Sequence, residues 1–157
     1  VGARRTMVAN RGRDTGLELA VRSVVHARGL RYFVGRRPLK GLRRTADLVF
    51  PRRRVAVFLD GCFWHRCPEH FQMPAANRGY WEPKIARNVE RDRETDRRLA
   101  EAGWRVLRFW EHEDPEEVAD RIEGIVRATD VSPGTFRPGR EVSHERAGGQ
   151  VQVLGAV

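Results

Sequence analysis

A run that is apolar at every position, Val55-Ala56-Val57-Phe58-Leu59, sets the strongest limit on how this chain can fold. A strand turns alternate side chains to opposite faces, so a strand with no polar alternation needs cover on both sides. Upstream, Thr45 to Phe50 reads as a second strand, and Pro51-Arg52-Arg53 is a link short enough to make an antiparallel hairpin with Arg54 to Asp60. Trp104 to Trp110 is a further strand flanked by apolar residues, and Tyr32-Phe33-Val34 is a short candidate. Three helical patterns complete the chain. Leu17, Val21, Val24 and Val25 recur at helical spacing from Gly16 to Arg28, with Asp14-Thr15 as the start and Gly29 as the stop. Pro83 to Ala102 places Ile85, Val89, Leu99 and Ala102 on one stripe, and Asp92 and Asp96 fall along it. Asp114-Pro115-Glu116-Glu117 has the N-cap, first-turn proline and N3 glutamate of a last helix running to about Thr129. This order predicts an α/β fold, a central mixed sheet flanked by helices.

At 157 residues the chain suits one domain with a full core. Residues 1–15, with Arg4, Arg5, Arg11 and Arg13, read as a basic arm, 16–130 as the folded domain, and 131–157 as a flexible tail rich in Gly, Pro, Ser and Arg. The net charge of +9 is carried almost wholly by arginine, since Lys40 and Lys84 are the only lysines. Arginine pairs with phosphate through two parallel hydrogen bonds, so nucleic acid is the expected partner. A GC-rich genome accounts equally well for the arginine-to-lysine ratio, though not for the excess of positive charge. No stretch approaches the roughly 20 apolar residues of a membrane span and no charged-then-apolar leader opens the chain, so the expected compartment is the cytoplasm.

Both cysteines of the chain lie in one loop, Gly61-Cys62-Phe63-Trp64-His65, followed by Cys67 and His70. In a reducing compartment such a pair suits a metal better than a disulfide. Cys62, Cys67 and His70 are three soft or borderline ligands, and zinc takes four in a tetrahedron. His112, just past the strand ending at Trp110, is the candidate for the fourth, and a closed set makes the zinc structural. The plain alternative is two buried thiols and surface histidines with no metal. His65 is either a proton acceptor outside the metal set or the ligand in place of His70. Asp92, on a buried helical stripe, needs a partner: an imidazole that it orients, or one of the many arginines. Asp47 interrupts a strand of apolar residues, where a hard oxygen ligand for magnesium explains it. Glu18 fits the helix dipole of a first turn, and gains meaning only if its helix packs beside the Asp47 strand. Phe63 and Trp64 adjacent in a loop suit presentation of their rings to a partner.

These residues carry a family resemblance. Asn10-Arg11-x-Arg13-Asp14-Thr15-x2-Glu18, Ala46-Asp47-Leu48-Val49, Gly61-Cys62-Phe63-Trp64-His65, Tyr80-Trp81-x2-Lys84-Ile85-x2-Asn88-x3-Asp92, Gly103-Trp104-x-Val106-Leu107 and Trp110-Glu111 follow one another in order across residues 7 to 128. The chain thereby resembles the very short patch repair endonucleases, bacterial enzymes that nick DNA at T:G mismatches. The resemblance implies a restriction-endonuclease-like fold of the PD-(D/E)XK type with a structural zinc site. It implies catalytic magnesium, two ions, at Asp47 and the Leu59 backbone carbonyl, with His65 as general base oriented by Asp92 and Glu18 as accessory acid. Phe63, Trp64 and Trp81 become an aromatic wedge entering from the major groove. Lys84 and Asn88 approach the mispaired bases, and the arm with Met7, Asn10, Arg11 and Arg13 lies toward the minor groove. Two departures mark this chain. Leu59-Asp60 stands where family members have Thr-His, which makes Asp60 an additional metal-ligand candidate. The zinc loop has Cys67 and His70 in place of a His/Cys pair, and His112 in place of a distal cysteine.

The expected activity is strand-specific nicking 5′ of the mismatched thymine by a monomer acting on double-stranded DNA at the nucleoid, with other mismatch-repair proteins as further partners. The alternatives are a zinc-stabilised DNA-binding module without catalysis, or a related nicking endonuclease with another lesion or site preference. A zinc deaminase fits poorly, because the His-x-Glu and Pro-Cys-x-x-Cys pair is absent.

Overall fold

A computed structural model of the chain describes residues 14–128. The arm residues Met7, Asn10, Arg11 and Arg13, Thr129 and the 131–157 tail lie outside the described residues. Strands β1 (Phe33–Arg36), β2 (Ala46–Phe50), β3 (Val55–Asp60) and β4 (Arg105–Trp110) form one sheet in the order β1-β2-β3-β4. The first three pair antiparallel, and β3 and β4 pair parallel from Val55↔Arg105 to Asp60↔Trp110. Parallel neighbours need a crossover, supplied here by the cysteine loop and helix α2 (Arg78–Glu101). Helices α1 (Gly16–Ala27) and α3 (Pro115–Ala128) pack together on the other face of the sheet.

The doubly apolar strand is central and covered twice, as its pattern requires. On one face Val21 and Val25 of α1 and Val118 and Ile122 of α3 meet Leu48, Val57, Leu107 and Phe109. On the other, Leu99 of α2 packs with Val49, Ala56, Phe58 and Val106. Each of these side chains larger than alanine contributes about 1.5–3 kcal/mol on removal from water. The helix α1 start follows its sequence: the Glu18 N–H donates to Thr15 Oγ1 at 3.3 Å, and Glu18 Oε2 accepts from the Asp14 N–H at 3.0 Å. This is a capping box with the carboxylate reaching one residue further out.

Two expectations are corrected. Helix α2 starts at Arg78, not Pro83, which lies inside it. The proline gives up one N–H bond, but the extra turn brings Tyr80 and Trp81 into a ring cluster and adds an Arg78–Glu82 pair at 3.7 Å. Arg54 does not begin β3; it adopts a left-handed conformation (φ 52°) that closes the 3₁₀ turn Pro51–Arg53. Its N–H donates to the Pro51 carbonyl at 3.2 Å and its own carbonyl accepts from Arg105 at 2.7 Å, so turn and sheet share the residue. Along α2, Ile85 and Leu99 are buried as expected, together with Thr95 and Asp96, while Val89 and Ala102 are half-buried. Among the described residues no helix is long and apolar enough to cross a membrane.

Candidate active site and metal cluster

Everything singled out in the loop hangs from the adjacent ends of β3 and β4. The parallel register continues past the strands: the Glu111 N–H donates to the Asp60 carbonyl at 3.0 Å, and Glu111 Oε1 accepts from the Cys62 N–H at 2.9 Å. His112 is thereby carried to the cysteine loop. Cys62, Cys67, His70 and His112 bring one donor atom each to within 4.8 Å of all the others. Cys62 Sγ to His112 Nδ1 is 3.1 Å, Cys67 Sγ to His112 Nδ1 3.8 Å, Cys67 Sγ to His70 Nδ1 4.0 Å, and His70 Nδ1 to His112 Nδ1 3.2 Å. A tetrahedron with metal–ligand bonds of about 2.0–2.3 Å has edges of roughly 3.3–3.8 Å, so these donors are spaced to share one ion. Neither cysteine is in a disulfide. Burial, reinforced by Cys67, pushes the Cys62 thiol up to about 12; a bound cation is what would favour its thiolate. The four ligands expected from sequence are the four brought together, and His65 is not among them.

His65 faces the other way. Its loop is wound by bonds from His65 N–H to Gly61 O (3.1 Å) and from Cys67 N–H to Cys62 O (2.9 Å). Its Nδ1 lies 2.6 Å from Asp92 Oδ2 on α2 and 3.7 Å from Asp60 Oδ1 at the end of β3. A carboxylate can only accept, so Nδ1 donates and Nε2 is left as the basic nitrogen. Burial disfavours the imidazolium, but the Asp92 hydrogen bond and the charges of Asp60 and Asp92 outweigh it and the pKa is raised.

Asp47 sits half-buried on β2, its Oδ2 accepting from the Leu59 N–H at 2.7 Å. Burial pushes its pKa up to about 6, assisted by the charges of Glu18 and Asp60. Helix α1 does pack beside this strand, and Glu18 is buried, bound to Arg22 Nη2 at 2.7 Å. Carboxylates whose negative charges act together on Asp47 are a set that a hard cation would relieve. Asp60 is also buried, but its Oδ2 is taken by Arg108 Nη1 at 2.6 Å.

Phe63, Trp64 and Trp81 touch mutually, edge to face, at centroid distances of 5.2, 5.5 and 6.0 Å. All three are half-buried, forming a ledge rather than a core. Lys84 Nζ stands 5.3 Å from the Trp64 ring and 5.6 Å from Trp81, a cation over aromatic faces. Asn88 Nδ2 donates to the Trp64 carbonyl at 3.1 Å, tying the loop to α2. Sequence reading gave no role to Phe71, which backs Phe63 at 6.1 Å, to exposed Tyr80, 4.9 Å from Trp81, or to Glu111. It also passed over Arg108. The available signal was a charge in the middle of Val106-Leu107-Arg108-Phe109-Trp110, on a strand that must be covered.

A mixed sheet with acidic groups at one end, beside a histidine held by aspartate and a ledge of rings, is an arrangement that suits a DNA-cleaving enzyme, and the family to which the chain belongs implies a restriction-endonuclease-like architecture. The chain belongs to the Vsr family of DNA mismatch endonucleases: the family model described as DNA mismatch endonuclease Vsr matches residues 3–69. Among relatives, type II nicking enzyme V.NaeI of Lentzea aerocolonigenes is 48% identical over 128 residues, covering 80% of this chain and 75% of its own. Type II nicking enzyme V.XorIIP of Xanthomonas oryzae pv. oryzae is 42% identical over 104 residues, 66% of this chain and 74% of its own. DNA mismatch endonuclease Vsr of Escherichia coli K12 is 40% identical over 108 residues, 68% of this chain and 67% of its own.

Proposed function

We propose that this chain is a magnesium-dependent endonuclease that nicks one DNA strand 5′ of the thymine in a T:G mismatch, the repair of deaminated 5-methylcytosine. The observation that carries the reading is the 2.6 Å bond from His65 to Asp92 on the loop that also bears Phe63 and Trp64. Base and wedge then move as one element. Asp47 and the Leu59 carbonyl would hold the magnesium, with Glu18 assisting and Asp60 able to add an oxygen. Magnesium, when bound, supplies positive charge against the charge developing on the phosphate. His65 Nε2 takes the proton from the attacking water, and Asp92 stabilises the resulting imidazolium. Phe63, Trp64 and Trp81 replace lost base stacking from the major-groove side. Lys84 lies toward the mispaired bases, Asn88 holds Trp64 in place, and the arm with Met7, Asn10, Arg11 and Arg13 reaches toward the minor groove. Zinc at Cys62, Cys67, His70 and His112 braces the loop without entering the chemistry. The enzyme works as a monomer in the cytoplasm, at the nucleoid, alongside other mismatch-repair proteins.

A nicking assay over a panel of mismatches and flanking sequences, with and without magnesium and with the cut mapped, tests this. Cleavage is expected 5′ of thymine in T:G duplexes; His65→Ala and Asp47→Ala should abolish it and still bind the mismatch. Full activity in both variants rejects the assignment, and preference for another mismatch selects a nicking enzyme of different specificity. The hold of Arg108 on Asp60 favours one second reading, a zinc-stabilised binding module. Mismatch binding that persists with no nick in magnesium would select it.

A further inference from the structure

Arg108 divides one guanidinium among three carboxylates. Nη1 donates to Asp60 Oδ2 at 2.6 Å, Nε to both oxygens of Asp96 at 3.0 Å, and Nη2 lies 2.9 Å from Asp96 Oδ1 and 3.6 Å from Asp92 Oδ1. Its place is fixed by the sheet. Arg108 stands opposite Phe58 in the β3–β4 register, with its head 4.5 Å from the Phe58 ring. Asp60 is two residues beyond Phe58 on β3, and Asp92 and Asp96 are one turn apart on α2. The arginine side chain is 18% exposed and Asp60 only 7%, so this is no loose surface pair.

The division of oxygens is what gives the cluster a direction. Asp92 turns Oδ2 to His65 and Oδ1 to Arg108; Asp60 turns Oδ1 toward His65 and Oδ2 to Arg108. Each carboxylate beside the imidazole therefore has its far oxygen facing the same cation. Each carboxylate thus has one short hydrogen bond, Asp92 to His65 and Asp60 to Arg108, both at 2.6 Å, and one longer ion-pair contact at its other oxygen, 3.6 Å for Asp92 and 3.7 Å for Asp60, so that turning about the hydrogen-bonded oxygen gives up charge attraction at the other. Lysine could not reproduce this, because an ammonium is a point charge and lacks the planar fork.

We infer that Arg108 is a positioning residue for nicking: by engaging the far oxygens of Asp92 and Asp60 it fixes the His65 ring and the direction in which Nε2 faces the scissile phosphate. The inference rests on His65 being the base. A purely structural role, joining β4 to α2 through Asp96, predicts different behaviour, and the two are separable.

The test uses the full chain with Arg108→Met, Arg108→Lys and Asp96→Asn, reading nicking kcat, mismatch Kd, and the low-field NMR resonance of the His65 Nδ1 proton, assigned by its loss in His65→Gln. Positioning predicts that Arg108→Met lowers kcat about 10- to 100-fold with Kd within about twofold, that the Nδ1 signal shifts or broadens, and that Arg108→Lys recovers only part of both. Asp96→Asn, which weakens the β4–α2 link but leaves an oxygen for Arg108 Nε and both carboxylates beside His65, should keep rate and signal near wild type. If Arg108→Met does not fold, Arg108→Met combined with Asp96→Asn reduces the buried charge imbalance, spares both carboxylates beside His65 and should show the same loss. Unchanged kcat and Nδ1 signal in the folded Arg108 variant overturn the inference, as does Asp96→Asn matching Arg108→Met in both. Should wild type nick no mismatch, the reading of function fails, and the Nδ1 signal alone still decides whether Arg108 holds His65.

Discussion

Asp47 should weaken the protein that it equips. Burial, then the neighbouring charges of Glu18 and Asp60, raise its carboxyl from an ordinary 3.8 to about 6, even though the Leu59 N–H pulls the other way. An acid with a raised folded pKa binds its proton more tightly when folded, so stability is lost as pH rises from the unfolded value toward the folded one. At about 1.4 kcal/mol per pH unit, the interval between 3.8 and about 6 amounts to at most about 3 kcal/mol. Asp47→Asn keeps an oxygen to accept from Leu59 and removes the charge. In magnesium-free buffer without chelator, so that any zinc is retained, urea unfolding at pH 7.5 should show the variant more stable by about 1–3 kcal/mol. By pH 4 the difference should shrink below about 1 kcal/mol, since pH 4 lies only just above the unfolded value of 3.8 and little of the interval over which the two states differ has been crossed. Added magnesium should stabilise wild type at pH 7.5 and leave the variant unchanged, while nicking is lost. A difference independent of pH, or a variant less stable at pH 7.5, would show that the environment of Asp47 is not the one described.

Because the His65 pKa is raised and a base must be neutral to act, the nicking rate should fall as pH drops through a value above the ordinary 6.5. Asp92→Asn should move this limb to lower pH and reduce the plateau; an unmoved limb would uncouple the pair. Cys67→Ser and His112→Ala should each lose a tightly held zinc, measured as one ion per chain in wild type by mass spectrometry, and lower Tm. Wild-type metal content and Tm in both variants would dismiss the cluster. Trp64→Ala and Trp81→Ala should each weaken mismatch binding by about 1–3 kcal/mol, measured by fluorescence anisotropy against a matched duplex, with the circular dichroism spectrum retained. Unaltered discrimination would remove the rings from recognition.

What the sequence disclosed follows from the range over which each interaction acts. Helix and strand positions, the apolar stripe of Ile85 and Leu99, and the Asp14-Thr15 helix start depend on residues a few positions apart, so periodicity and spacing reveal them. Cys62, Cys67 and His70 also lie close in sequence, and His112 is a candidate from its ligand chemistry and its place just past a strand whose end could lie beside theirs. Arg108 belongs to another class: its bond to Asp60 spans 48 positions and depends on the parallel register of β3 and β4, which no local pattern encodes. Helix α2 was truncated at Pro83 for a related reason. The stabilisation that outweighs a lost backbone bond comes from contacts with Phe63 and Trp64, on a loop whose path the sequence does not specify.

The loop between β3 and α2 is rooted at both strand ends, with Glu111 bound to the Cys62 N–H and His112 beside the thiols. Its shape is therefore written in two places, and it cannot be exchanged as a single cassette. A chimera receiving residues 61–71 from a relative would carry rings and base on a scaffold missing one side. Transplanting positions 111 and 112 with it makes the exchanged segment discontinuous but self-sufficient, a unit of engineering defined by its clamp and not by its sequence boundaries.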